Sequence, residues 1–395
     1  MSVQESARAV RVALAEMTAT SADDWFLAFR TRHAMLVAFE ALRAQCGAGE
    51  VVTQLFTCCT AVDPIIAAGL TPRYGDISAR TLALDPAVLP LSPQTRAVVD
   101  QHTFGMIDAA ASAQLRDAAH AAGALLVEDS AHCVGHMATD PTGAPLADLS
   151  FHSFGIGKMA SAGFGGAVWV SPALDPALRA VLVSAFEALP VVAAHLERAT
   201  GSYDFTIRVL MHLPQALRRV LWDQLASAGL FIPAVARMER AGKVFLGASA
   251  PGEATCAIMG EGMATLPTRE VNALGALAVF DHYFDSYEDA LGVPGAARKA
   301  DRALLRYPLV LDSEERADEL VQRLCDAGFY VDPWGRPLLY PGALEGAAYG
   351  LDEALPLLPV TQRCSCGVVP LATNVSTDEA LTAAKTVFEF LREKA

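Results

Sequence analysis

Two stretches decide the reading of this chain. They are Leu125-Leu-Val-Glu-Asp-Ser-Ala-His-Cys-Val-Gly135 and Phe151-His-Ser-Phe-Gly-Ile-Gly-Lys-Met-Ala-Ser-Ala-Gly-Phe-Gly-Gly166. In the first, an apolar run ends abruptly in acid. A buried strand that closes on carboxylates is where open α/β sheets hold their ligands, at the carboxyl ends of the strands. The second contains Lys158, one of only five lysines, and the other four (Lys243, Lys299, Lys385, Lys394) lie near charged or polar neighbours. A lone amine in a Gly-rich, mostly apolar turn loses hydration. Its pKa falls, and the neutral amine becomes a nucleophile toward carbonyls.

An acid ending a strand, followed by such a lysine, suits pyridoxal phosphate. That cofactor needs a lysine for its Schiff base and an acid to keep its ring nitrogen protonated. Taken singly, Lys158 also reads as a surface lysine in a loop and Asp129 as a helix cap. The combined order Asp129-Ser-Ala-His132, Ser153-Phe-Gly-Ile-Gly-Lys158 and Gly163-Phe-Gly-Gly166 resembles the DegT/DnrJ/EryC1/StrS aminotransferases. These are fold-type I pyridoxal phosphate enzymes, most of which act on nucleotide-linked keto sugars. The resemblance implies a large domain with a mixed, mostly parallel sheet flanked by helices, plus a smaller C-terminal α+β domain. It also implies a homodimer with active sites between subunits.

Composition sets outer bounds. A chain of 395 residues accommodates two domains, and its 53% hydrophobic content builds a large core. The net charge of −14 argues against nucleic acid or an anionic membrane as partner, and any anionic ligand would need a local basic pocket. The eight cysteines show no paired metal-ligand spacing. Met-Ser-Val-Gln-Glu-Ser lacks the basic and apolar regions of a signal peptide. No apolar run reaches membrane-spanning length. We therefore expect a reduced cytoplasmic protein.

Residues 1–30 read as a helix packed through Trp25, Phe26 and Phe29. Thr31 is a plausible N-cap for a helix that stops at Gly47. Helix N-termini bind anions because unpaired N–H donors and the positive dipole end point the same way. By the resemblance, Arg32 and His33 contact the cofactor phosphate, together with Ser153. The family's glycine is replaced by Thr31. Cys58 falls where the family keeps an aromatic that stacks on the cofactor ring. Either Cys58 packs on that ring, Phe56 reaches in from nearby, or Cys58 is only a small buried residue. His102, at the end of the strand Thr95-Arg-Ala-Val-Val-Asp-Gln101, is taken as structural. Short intervals of strand, helix and strand predict parallel pairing through crossover helices. Gly163 to Gly166 lacks the Gly-Lys-Ser/Thr of a P-loop and reads as a turn into the next strand.

Residues 172–262 depart most from the family. Helical patterns there carry Arg208, Arg218 and Arg219, a face suited to phosphate, a subunit or solvent. The family's Asn-x-Arg that reaches the neighbouring subunit's cofactor is missing, with Arg269 a weak substitute. A boundary near 265 gives a large cofactor-binding domain, 1–265, and a small C-terminal domain, 266–395.

The resemblance implies amino transfer from an amino acid donor, glutamate, to a keto or aldehyde substrate, a nucleotide-linked keto sugar in most of the family. Lys158 forms the internal aldimine and shuttles the proton. Asp129 faces the ring nitrogen, and His132 sits beside Asp129 or near the cofactor's 3-oxygen. Two other readings stay open: an aminotransferase for a non-sugar natural-product carbonyl, and a non-catalytic cofactor-binding regulator. Family members that dehydrate sugars carry histidine in place of the lysine, so Lys158 argues against that reaction.

Overall fold

The computed structural model describes residues 3–393. Its centre is a seven-stranded sheet. In chain order the strands are β1 (Trp25–Ala28), β2 (Glu50–Thr53), β3 (Thr71–Tyr74), β4 (Thr95–Gln101), β5 (Leu125–Ser130), β6 (Leu149–Ser153) and β7 (Gly166–Val170). They lie in the order β1-β7-β6-β5-β4-β2-β3. The run from β3 to β6 is parallel, and β7 and β1 add antiparallel partners at the other edge. Every residue of β6 and β7 is buried, the polar Ser150, His152 and Ser153 of β6 included.

Helices α1 (Val3–Thr18), α2 (Thr31–Cys46), α3 (Cys59–Ala67) and α4 (Ala109–Ala121) connect or cover these strands. In α2 the apolar positions Ala34, Met35, Ala38, Ala41 and Leu42 recur on one face and are buried, as an amphipathic helix requires. The helix stops at Gly47, whose φ of 77° is the left-handed region that glycine enters without a Cβ clash. At Gly166, a Cβ would lie 2.3 Å from the Thr31 nitrogen. Only glycine lets β7 pass this close to the start of α2, and that approach fixes the helix N-terminus beside the strand ends.

Two expectations are corrected here. Residues 1–30 are not one helix: α1 ends at Thr18, and Trp25–Ala28 forms β1, paired antiparallel with β7. Trp25 is fully buried there, donates from Nε1 to Thr20 Oγ1 (2.8 Å) and packs edge-on against His152. Thr31 is the first helical residue of α2 and not its cap. Arg30 occupies the cap position, and the Thr31 hydroxyl donates to the His152 carbonyl (3.0 Å).

Beyond the sheet come α5 (Pro176–Glu187), α6 (Ala194–Gly201), α7 (Tyr203–Met211), α8 (Gln215–Ser227) and the long α9 (Glu253–Phe284). Helix α9 packs against both α1 and the final helix, Thr377–Arg392, and residue 265 lies inside it. The C-terminal part holds a two-stranded antiparallel sheet, β8 (Arg306–Val310) with β9 (Val368–Ala372). Its core, including Tyr307, Leu309, Leu371 and Phe390, is continuous with Phe56 and Phe104 of the large sheet's loops. No helix among the described residues is long and apolar enough to cross a membrane.

Candidate active site

A cavity of about 210 Å³ opens at the carboxyl ends of β4, β5 and β6, the position that parallel α/β sheets offer to ligands. It brings together Arg32, Cys58, Asp129, His132, Ser153 and Lys158, six of the seven residues singled out from the sequence. The seventh, His33, does not line it. Its ring is fully buried, with Nε2 3.3 Å from the Phe245 carbonyl. Burial, aided by the Arg30 charge, lowers its pKa to about 3, so it is a neutral imidazole held against backbone.

Lys158 sits in the loop between β6 and β7, its own N–H donating to the Gly155 carbonyl (3.2 Å). Desolvation lowers its pKa, and Arg306 and Arg32 push the same way, while Cys58 and Asp129 pull it back up. Asp129 ends β5 and is buried. Burial raises its pKa, opposed by the Ala131 N–H, which donates to Oδ1 (3.0 Å), and by the Lys158 charge. The amine and the carboxylate therefore face a shared space and stabilise each other's charged form.

His132 is held as a neutral ring. Its Nδ1 accepts the Phe104 N–H (2.9 Å), which leaves the proton on Nε2. Burial first, then Lys158 and Arg306, keep its pKa well below the usual value. Phe104 stacks parallel on one side of the ring and Trp334 meets it edge-on at 5.0 Å. Behind Asp129, His102 pairs with Glu128 (2.7 Å), both buried. His102 does not line the cavity and acts as structural support for the strand ends.

The N-terminus of α2 borders the cavity through Thr31 and Arg32. No side chain caps its first N–H groups, which suits an anion such as a phosphate. Ser153 adds a hydroxyl, which accepts the Gly155 N–H at 3.2 Å. The Arg32 guanidinium is already paired with the buried Glu239 and also donates to the Ala234 carbonyl (2.9 Å). Burial opposes its charge, but Glu239 outweighs that and its pKa is raised.

Cys58 caps α3 and lines the cavity, whereas Phe56 is fully buried in the core against Phe104 and Trp334 and does not line it. The Cys58 sulfur lies 3.0 Å from the Thr60 hydroxyl. A hydrogen bond from the Cys59 thiol, working against burial and helped by Thr60 and Arg32, lowers its pKa to about 6. A site of this kind favours thiolate.

The sequence reading missed one wall. Arg306, Asp332, Trp334 and Tyr340 of the C-terminal part also line the cavity. Arg306 and the Tyr340 hydroxyl each bond a different oxygen of Asp332, both at 2.8 Å. Backbone bonds Leu339 N–H to Leu55 O (3.1 Å) and Tyr340 N–H to Thr57 O (2.8 Å) fasten this wall to the exit of β2. Arg269 does not line the cavity; it donates to the Met159 carbonyl (3.3 Å) and steadies the Lys158 loop.

Residues 31–186 match the model of the DegT/DnrJ/EryC1/StrS aminotransferase family. No curated protein matches the sequence. Among solved structures, DesI, determined in the presence of its TDP-sugar product, has a TM-score of 0.67 at 21% identity, covering 99% of this chain and 87% of DesI. The sugar aminotransferase CalS13 from Micromonospora echinospora has a TM-score of 0.65 at 20% identity, covering 97% and 91% of the two chains. 3-Amino-5-hydroxybenzoic acid synthase has a TM-score of 0.65 at 18% identity, covering 98% and 96%. These likenesses establish the fold as that of fold-type I pyridoxal phosphate aminotransferases. The matched segment, 31–186, is the one that carries Arg32, Asp129, Ser153 and Lys158.

Proposed function

We propose that this protein is a pyridoxal phosphate-dependent aminotransferase that moves an amino group from an amino acid donor, glutamate, to the carbonyl of a nucleotide-linked keto sugar. The observation that carries the reading is the meeting of the Lys158 amine and the Asp129 carboxylate in one cavity, with the uncapped N-terminus of α2 and the Ser153 hydroxyl on its border. These groups fit the cofactor's aldehyde, ring nitrogen and phosphate in turn. When bound, pyridoxal phosphate supplies an electron sink for the carbon that loses or gains the amino group.

The chain's own residues do the rest. Lys158 would hold the cofactor's aldehyde end, and its Nζ, with pKa lowered by burial, would carry the proton that moves during transfer. Asp129 would hold the cofactor's ring nitrogen protonated, and that positive charge would offset the burial that otherwise raises the Asp129 pKa. His132 offers Nε2–H as a neutral donor, and Trp334 and Phe104 fix its ring plane. Cys58 takes the place of the stacking aromatic with less area but a polarisable sulfur. As in the family, we infer a homodimer.

A second reading is favoured by the likeness to 3-amino-5-hydroxybenzoic acid synthase together with Cys58: the acceptor is a non-sugar natural-product carbonyl. The test is spectroscopic. Purified protein mixed with pyridoxal phosphate should develop an absorbance band near the visible edge that glutamate discharges. A band that no amino acid discharges would sink the reading and leave a silent binder. Thermal shifts with nucleotide sugars against aromatic keto acids separate the two acceptor classes.

A further inference from the structure

A second cavity, about 980 Å³, lies between α8 and the segment from 233 to 245. It meets the first at Val235, which lines both. Four arginines line it: Arg218, Arg219, Arg237 and Arg240; the one acid is Asp223, and Trp222 supplies an aromatic surface. Among the described residues, none of the four makes an ion pair. Arg240 is oriented by its Nε, which donates to the Gly342 carbonyl (2.7 Å), and Arg218 Nη1 only grazes the Met211 sulfur at 3.6 Å.

In a chain of net charge −14, four unpaired guanidiniums around one cavity are a local reversal of sign. Like charges held together repel, and an anion between them relieves the repulsion. The guanidinium fork matches phosphate oxygens two at a time. Trp222 meets Phe231 edge-on at 4.7 Å, so its ring is braced by a fixed neighbour, and a planar base stacks readily on such a ring. The cavity belongs to the segment outside the family match, which ends at residue 186.

We propose that this second cavity binds a diphosphate-class anion, held by Arg218, Arg219, Arg237 and Arg240 beside the amino-transfer cavity. The inference rests on the reading of the first cavity as the amino-transfer site, and it assigns the charged end of the acceptor, or a free diphosphate, to the second. The two sources share one chemistry and differ in what is attached to it.

The test is isothermal titration of the pyridoxal phosphate-loaded protein with inorganic pyrophosphate, thymidine diphosphate and thymidine. Pyrophosphate should bind, and the R219Q/R237Q variant should bind it roughly tenfold more weakly or worse, since each charge-assisted bond contributes a factor of that order. Arg208→Gln, a change on α7 outside the cavity, should bind like wild type. Melting temperatures show whether each variant is folded. If thymidine diphosphate binds more tightly than pyrophosphate and Trp222→Leu removes the difference, the acceptor carries a nucleotide. Equal affinities favour a free diphosphate; both results support the site. Absence of pyrophosphate binding by wild type at millimolar concentration overturns the proposal, as does equal binding by R219Q/R237Q or an equal loss in Arg208→Gln. The titration needs no turnover, so its failure and failure of the glutamate-discharge assay are separate results.

Discussion

Two walls of the same cavity are built in different ways. One is the set of strand ends at β4, β5 and β6, where Asp129 and Ser153 are buried and each strand is hydrogen-bonded on both sides. The other is the segment from Pro233 to Glu239, which has no strand partner. It is held by Arg30 donating to Pro233 O (2.8 Å), by Arg32 donating to Ala234 O, and by the Arg32–Glu239 pair. The Tyr349 hydroxyl adds a bond to the Glu239 carbonyl (2.7 Å). Strand ends gain their rigidity from many ladder bonds and from covered apolar faces. The opposite wall draws its rigidity from a few buried polar contacts, each of which matters more. Single substitutions at the strand ends should therefore alter chemistry, and those at the other wall should alter stability.

The largest effect belongs to Lys158. Lys158→Ala should lower transamination on the order of 10³-fold or more, since it removes both the covalent anchor and the proton carrier, while the melting temperature changes little. Stopped-flow absorbance with glutamate reads the first and thermal unfolding the second. A variant that transaminates like wild type would falsify the role given to Lys158.

Glu239→Ala tests the other wall. It leaves Arg32 largely buried without its carboxylate, and breaking such a pair from one side costs about 3 kcal/mol or more. Denaturant titration of the cofactor-free protein should show that loss, with Glu239→Gln losing less because its amide oxygen still accepts the Ala236 N–H. A change within about 0.5 kcal/mol would mean that this wall is held elsewhere.

The two walls also differ in how far the sequence disclosed them. Strand β5 was legible because Leu125-Leu-Val is an apolar run that ends in acid, and Lys158 because lysine is scarce in this chain, whereas β6, which alternates apolar and polar residues, was not read as a strand. Arg32 was singled out through the family resemblance, and it does line the cavity. Strand β1 was not legible: Trp25-Phe-Leu-Ala is a short apolar run that helix and strand share equally. Nor was Glu239, which meets Arg32 across 207 residues and carries no local signal of its partner. Arg306, Asp332 and Tyr340 lie far in sequence from the other cavity residues, and only the fold sets them against the exit of β2. His33 misled because its neighbour in sequence, Arg32, does face the cavity, while one helical step turns His33 toward Phe245.

His33 supplies the next test. In the unfolded chain an imidazole takes up a proton near pH 6.5; in the folded protein His33 does so only near pH 3. Between those values the unfolded state binds more protons, so stability falls as pH falls. The slope is about 1.4 kcal/mol per pH unit for one such group. His33→Asn should make the acid side of the stability curve shallower by about that amount between roughly pH 6 and 3.5. Comparison with wild type cancels the parallel contribution of His152, whose pKa is also lowered to about 3 by burial. Identical slopes would place His33 in contact with solvent.

The smallest effect sits where the two walls join. Thr31 begins α2, and its hydroxyl donates to the His152 carbonyl in β6. This side-chain bond ties the start of α2 to a strand of the sheet. Thr31→Val keeps the shape and removes the donor, so the expected cost is about 1 kcal/mol, the net worth of one ordinary hydrogen bond. Because β7 already presses against the start of α2 at Gly166, the helix should keep its position and the glutamate-driven spectral change its rate. Affinity for pyridoxal phosphate is the sensitive readout. A loss there well beyond what about 1 kcal/mol allows, roughly fivefold, would mean that the hydroxyl, and not only the backbone N–H groups, orients the phosphate end of the site.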